Sequence, residues 1–300
     1  MKSNHSRIAT AAAATALMLG LFAGNGAWAQ ASAPAAKPAQ AAKPSAKAKP
    51  KTAPAPLLIE ARAMDMIKAT SARLAAAKSM SFTAIVNVEF PSRLGPPLAY
   101  AVRYDVSMQR PDKLKIVQSG AGPASEFYYD GKAILAYAPA EDLVAVADAP
   151  PTIDGALKTT YDVAGTYFPF TDLLVADPNA ALAADVIHAF YIGPSNAVGG
   201  VPTEAIAWAS KDVFLQMWIG SEDKLPRRIR AMFANDPLKL RHDMELSNWK
   251  LDGVQAADLA AAPKVQAAKR IAFAKPEAAP RPAVSALKPA AKPATAPAKP

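Results

Sequence analysis

After Pro56, small and apolar residues recur every three or four positions: Ile59, Ala63, Met66, Ile67, Thr70, Leu74 and Ala77. Glu60, Arg62, Asp65, Lys68 and Arg73 take the opposite side. This spacing predicts an amphipathic helix of about 20 residues ending near Lys78-Ser79. The period then falls to two. Phe82, Ala84, Val86, Val88 and Phe90 alternate with Thr83, Ile85, Asn87 and Glu89. Beyond a Pro/Gly turn, Tyr100, Val102, Tyr104, Val106 and Met108 alternate with Ala101, Arg103, Asp105 and Ser107. One apolar and one polar face is the pattern of an antiparallel sheet buried on one side.

Further strands are predicted at 114–117, 126–129, 133–138 and 143–147, forming a meander that begins at 82. Asp130-Gly131 predicts a type I′ hairpin, because both of its turn residues take positive φ. Residues 150–186 change character. Thr152–Ala164 reads as a helix closed by Gly165, with shorter helices from Pro169 to Leu174 and from Pro178 to Val186. Strands resume at 187–192, 205–210, 213–219, 226–233 and 242–251, with a further candidate at 269–273. About eleven strands with helices at the start and in the middle indicate an α+β fold. There is no βαβ rhythm and no tandem repeat.

The strongly curved sheet these strands would form has one apolar concave face. The N-terminal helix and the 152–186 helices are the segments available to cover it. If they cover it loosely, the space between is an apolar cavity able to take an acyl chain; if they pack tightly, it is a core. Alternation alone is the same in both cases. The concave-face residues Phe82, Val86, Val88, Tyr100, Val102, Tyr104 and Val106 are the candidate ligand contacts. Trp218 joins them because its strand, Val213–Ile219, is apolar on both faces and should be covered on both.

Composition narrows the folded part. Residues 30–56 are Ala, Pro or Lys at 22 of 27 positions, and residues 274–300 at 21 of 27. Such tracts carry too little bulky apolar surface to offset the entropy of ordering and read as semi-extended, basic linkers. Residues 1–29 read as an export signal: Lys2 and Arg7, an apolar stretch from Ile8 to Phe22, then Ala27-Trp28-Ala29 before the cut. One domain, 57–273, is left. Charge follows this division. The chain carries +9; residues 1–29, 30–56 and 274–300 hold +2, +5 and +4, leaving −2 on the domain. A nearly neutral domain argues against nucleic acid as a partner.

With no Cys there are no disulfides, no thiolate metal site and no thiol for a lipid anchor. No window after the leader approaches 18 continuous apolar residues, so the mature chain is expected to have no transmembrane segment. These features predict a soluble periplasmic protein. The nucleophile-elbow, P-loop, dinucleotide and HExxH patterns are missing. His188 and His242 stand far apart, and no metal or cofactor is expected. Arg227, Arg228 and Arg230 read as a solvated strand face, with an anion-binding rim as the alternative.

Several short motifs stand in a familiar order: Arg110-Pro111-Asp112-Lys113-Leu114, Phe127-Tyr128-Tyr129-Asp130-Gly131-Lys132, Ile153-Asp154-Gly155-Ala156-Leu157, Val198-Gly199-Gly200-Val201-Pro202, Gln216-Met217-Trp218-Ile219 and Leu225-Pro226-Arg227-Arg228. In this order the chain resembles a family of predicted periplasmic proteins that is itself similar to the lipoprotein-carrier (LolA/LolB-like) superfamily. The resemblance spans nearly all of 57–273. It implies an incomplete β-barrel with helices as a lid over a hydrophobic cavity, which in the carriers holds acyl chains. It implies no catalytic activity for this chain. Many relatives hold a Cys and a nearby His after Gly-Gly-Val-Pro; here the segment reads Thr203-Glu204-Ala205. The expected function is a non-enzymatic carrier or binding protein for a lipid or acylated protein. The alternative is an envelope scaffold whose Lys-Pro tails adhere to anionic envelope components.

Overall fold

The computed structural model describes residues 58–93 and 95–275. The first helix, α1 (Ala61–Ala76), buries Ala63, Ile67, Thr70 and Leu74 of the expected stripe together with Ser71, and leaves Met66 half-buried. It starts later than the apolar spacing suggests. Leu58, Ile59 and Glu60 instead lie along a strand edge, with Ile59 bridging Ala189 in parallel. The Glu60 amide donates to Ala189 O at 2.8 Å, and the Glu60 carboxylate accepts from Tyr191 N at 2.8 Å. Ile59 is therefore exposed rather than part of the helix core.

Strands β1 (Ser79–Phe90), β2 (Leu98–Gln109), β3 (Lys113–Gly120), β4 (Ser125–Tyr129), β5 (Ala133–Ala138) and β6 (Leu143–Asp148) form the first meander. After the helices α2 (Ile153–Ala164), α3 (Thr171–Leu174) and α4 (Pro178–Leu182) comes a second meander. It contains β7 (His188–Ser195), β8 (Thr203–Ala209), β9 (Val213–Gly220), β10 (Pro226–Phe233) and β11 (Arg241–Leu251). A 3₁₀ turn (Ala256–Leu259), α5 (Pro263–Ala267) and β12 (Lys269–Ala272) complete the described chain. The strands make one open sheet in the order β12-β6-β5-β4-β3-β2-β1-β11-β10-β9-β8-β7. The two meanders meet where β1 pairs with β11, and only β12 is parallel to its neighbour. The fold is an α+β, curved antiparallel sheet with helices, with twelve strands instead of eleven.

Local capping matches the expectation at α2. Thr152 accepts from Gly155 N, and Gly165 sits in the left-handed region at φ 68°. The 130–131 turn differs from expectation. Gly131 takes φ 92°, but Asp130 is not among the positive-φ residues. The Asp130 carboxylate accepts from Lys132 N and Ala133 N at 3.0 and 2.9 Å, which closes a wider loop around the side chain than a type I′ turn. Glycine is required at 131 for space as well: a Cβ there would meet the Asp112 carboxylate at 2.4 Å.

Register sets the inner face. Met80, Phe82, Ala84, Val86 and Val88 of β1 stand opposite Met108, Val106, Tyr104, Val102 and Tyr100 of β2. Met244 and Leu246 of β11 and Met217 and Ile206 beyond continue that face. The lid packs into its centre. Phe170, 1% exposed, sets its ring edge-on to Phe82 at 5.6 Å and to Tyr104 at 5.3 Å. Phe168 stacks on Phe170 at 5.9 Å and meets Phe127 at 5.2 Å. A break in register between β1 and β11, with Asn248 at φ 57°, brings Trp249 onto Phe82 at 4.5 Å.

The outer face of β4–β6 is also apolar, and the C-terminal segment covers it. Val265 of α5 is buried with Tyr128, Tyr137 and Val144. Shortening Phe170 would empty the meeting point of lid and sheet. Phe170→Ala is expected to cost about 3–5 kcal/mol, read as a lower midpoint in urea unfolding.

Candidate ligand-binding face

The structure divides the sequence-derived candidates into three groups. Phe82, Val86, Tyr104 and Val106 lie in the packed core beneath the lid. Val88, Tyr100 and Val102 lie on the same inner face but are half-buried. Along β2 the exposure of this face rises from 0% at Met108 and 1% at Val106, through 9% at Tyr104, to half-buried Val102 and Tyr100. It reaches 49% at Leu98. The concave face is thus filled at one end and opens to solvent at the other.

Trp218 belongs elsewhere. Strand alternation puts Met217 and Ile219 on the inner face and Trp218 on the outer one. Among the described residues no second layer covers it as its two-sided apolar strand suggested. The Arg228 guanidinium lies over its ring, 5.5 Å from the centroid. Arg228 in turn makes a two-pronged contact with Asp243, at 2.8 and 2.6 Å. Arg227 pairs with Asp223, and Arg230 lies close enough to Glu89 to lower its pKa. The three arginines are matched by carboxylates, which disfavours the anion-binding rim.

The open end carries a polar element that spacing did not reveal. His242, opposite Val88 in the β1–β11 register, sets its ring edge-on to Phe233 at 5.2 Å. Burial pushes its pKa down, partly opposed by Asp236 and Glu89. His188 is unrelated to it: its Nδ1 accepts from Leu58 N at 3.3 Å. Among the described residues no three His, Asp or Glu side chains come together as metal ligands would.

Two polar contacts hold the lid, one part-buried and one at the surface. The Arg110 guanidinium, from the end of β2, donates to Leu174 O at 3.1 Å and to Val175 O at 3.0 Å, at the C-terminal end of α3. Asp154 of α2 accepts from Ala176 N at 3.1 Å on the same stretch. Arg110 Nε is buried without a partner, and burial lowers the Arg110 pKa while Asp154 raises it. On the lid itself, burial pushes the Asp172 carboxyl above its ordinary range. Burial also raises the Tyr167 phenol, with the Asp172 charge adding to the effect. Tyr167 as a whole is 46% exposed.

Residues 63–274 match the family described as "Predicted periplasmic protein (DUF2092)". The chain belongs to this family. No curated protein matches it. Among solved structures, MucB is 14% identical, with 68% of this chain and 64% of MucB covered and a TM-score of 0.37. The chain therefore spans less than two thirds of MucB. LprF from Mycobacterium bovis is 16% identical over 65% of this chain and 96% of its own, with a TM-score of 0.41. Lipoprotein LppX from Mycobacterium tuberculosis is 14% identical over 65% and 97%, with a TM-score of 0.42. No helix among the described residues of this DUF2092 chain is long and apolar enough to cross a membrane.

Asp172 supplies a pH-dependent test of the lid. Its folded pKa is raised above the 3.8 of the free group, so its native form binds its proton more tightly than the unfolded chain does. The stability linked to that proton is complete below the unfolded value and is lost as pH rises through the folded one. Asp172→Asn is expected to raise Tm at pH 7, with the gain shrinking on acidification, as thermal melts across pH would record.

Proposed function

We propose that this DUF2092 protein is a non-enzymatic periplasmic carrier or binding protein for a hydrophobic ligand, a lipid or the acyl chain of an acylated protein. The ligand enters at the open end of the concave face. Its chain lies on Val88, Tyr100 and Val102, and Tyr104 with the Phe168–Phe170 pair forms the inner wall. The observation that carries this reading is the exposure gradient along β2, where one apolar face passes from packed core to solvent without changing chemistry. Each methylene laid on this surface contributes about 0.8 kcal/mol. Phe82, Val86 and Val106 act beneath the site, as the packing on which its wall rests.

Deeper entry requires the lid to move. Phe168 and Phe170 occupy the middle of the concave face, and Arg110 and Asp154 hold the segment behind them. The carrier in this form is closed on its own aromatic side chains, and a long chain displaces them.

The division of the chain is part of the same proposal: an export signal at 1–29, basic linkers at 30–56 and 274–300, and a half-barrel domain at 57–273. Residues 1–57 and 276–300 lie outside the described residues. The linkers would add salt-sensitive contact with anionic envelope components.

The test is uptake of a fluorescent fatty acid by the mature chain. Val102→Glu places a charge on the floor of the open end and is expected to abolish uptake. Trp218→Ala, on the outer face, is expected to leave it intact. Equal loss in both variants, or no uptake by the unaltered chain, would refute the reading.

A further inference from the structure

A second recess lies at the opposite end of the concave face, under α1. It has a volume of about 350 Å³. One wall is a single stripe of α1: Arg62, Asp65, Met66 and Ala69, spaced so that they share a face. The other wall is Glu204 at the start of β8, Ile219 and Gly220 at the end of β9, and Lys224 in the turn that follows. In the β8–β9 register Glu204 stands opposite Ile219, the end of the sheet away from Val88, Tyr100 and Val102. This recess is independent of the site proposed above.

The chemistry of the lining is specific in two respects. Its floor is apolar, made of Met66, Ala69 and Ile219, and its rim carries two cations and two carboxylates. These charges are unequally committed. Arg62 pairs with Glu204 at 3.2 Å and lies flat over the Tyr191 ring, 3.4 Å from its centroid, so this side of the rim is fixed. Asp65 is exposed and makes no ion pair among the described residues. Lys224 donates to Ser221 O, a neutral acceptor, which leaves its charge unmatched. A free carboxylate and a free ammonium thus share one small recess with a fixed ion pair between helix and sheet.

Size completes the argument. At about 350 Å³ the recess lies at the small end of the range for ligand pockets. That is too small for a whole phospholipid and suits a compact head group. A purely anionic or purely cationic ligand would find one favourable and one opposing free charge.

We propose that this recess binds a phosphoryl-ammonium zwitterion, with the ammonium against Asp65 and the phosphoryl oxygens against Lys224, beside the Arg62–Glu204 pair that stays closed. The apolar floor takes the carbon atoms between and around the charges. The group arrives either as the head of a single-chain lysophospholipid or as the free head group.

The experiment uses the mature chain labelled at its methionine methyls and follows binding by NMR and calorimetry. The probes are a short-chain lysophosphatidylcholine below its micellar concentration, the matching lysophosphatidylglycerol, the matching fatty acid, and glycerophosphocholine. The expected result is a Met66 methyl that shifts with the zwitterionic probes, and tighter binding of lysophosphatidylcholine than of the anionic lysolipid. Lys224→Glu, a change at an exposed turn, should weaken lysophosphatidylcholine by about threefold, the scale of a rim charge. Val102→Glu should leave the Met66 response unchanged. A response to both lysophosphatidylcholine and glycerophosphocholine names the free head group as sufficient; a response to the lysolipid alone names the lipid as the source. Either supports the site. Equal affinity for all three single-chain probes, or lysolipid binding with an unmoved Met66, would overturn it.

Discussion

The concave face of an open sheet is the constraint from which the rest of this molecule follows. A sheet twelve strands wide with one apolar side cannot leave that side in water, and an open sheet cannot cover it by closing on itself. The cover has to come from helices, and it is uneven. Phe168 and Phe170 reach the centre, where they meet Phe82, Tyr104 and Phe127 in a cluster of edge-on and stacked rings. Toward Leu98 the sheet runs on past its cover. Binding at that margin needs no new surface, because the surface is already apolar and already part-solvated.

The same packing that stabilises the domain limits what can enter it. The lid segment is short: α3 and α4 have four and five residues, too few to be stable helices alone. They hold their place through side chains inserted into the sheet and through the Arg110 and Asp154 contacts to the backbone at 174–176. A part-buried guanidinium held by carbonyls, with its Nε buried and lacking a partner, is less secure than a fully satisfied one. The rings of this lid fill the volume that any other apolar group on the concave face would have to occupy.

The alternation in β1 and β2 made the inner face legible residue by residue, because period two is a direct record of sidedness. Gly165 and Thr152 marked the limits of α2 for equally local reasons. Four features are not legible in this way. Whether the face was filled depends on volumes contributed by Phe168 and Phe170, from a loop with no period. The outer-face position of Trp218 is not legible because an apolar ring there is covered by a guanidinium, that of Arg228 in the Pro226-Arg227-Arg228 run of β10, rather than by a second layer. The C-terminal strap was invisible because Val265 is a single bulky residue among alanines. The Lys224–Asp65 recess is not legible either, since these two residues are 159 positions apart and share no motif.

The β1–β11 seam has a consequence for how the chain assembles. Every other antiparallel neighbour in the sheet is consecutive in sequence, so each half can zip together as its residues become available. The seam joins residue 80 to residue 251 and closes only when nearly the whole domain has been made. Until then the inner edge of β1 stands bare, with a Phe, two Val and an Ile along it, and resembles an aggregation-prone template. Synthesis from the N-terminus therefore yields a half-sheet that must wait for its partner. The interval between those two events, and what shields β1 during it, governs how much of the chain reaches the native state.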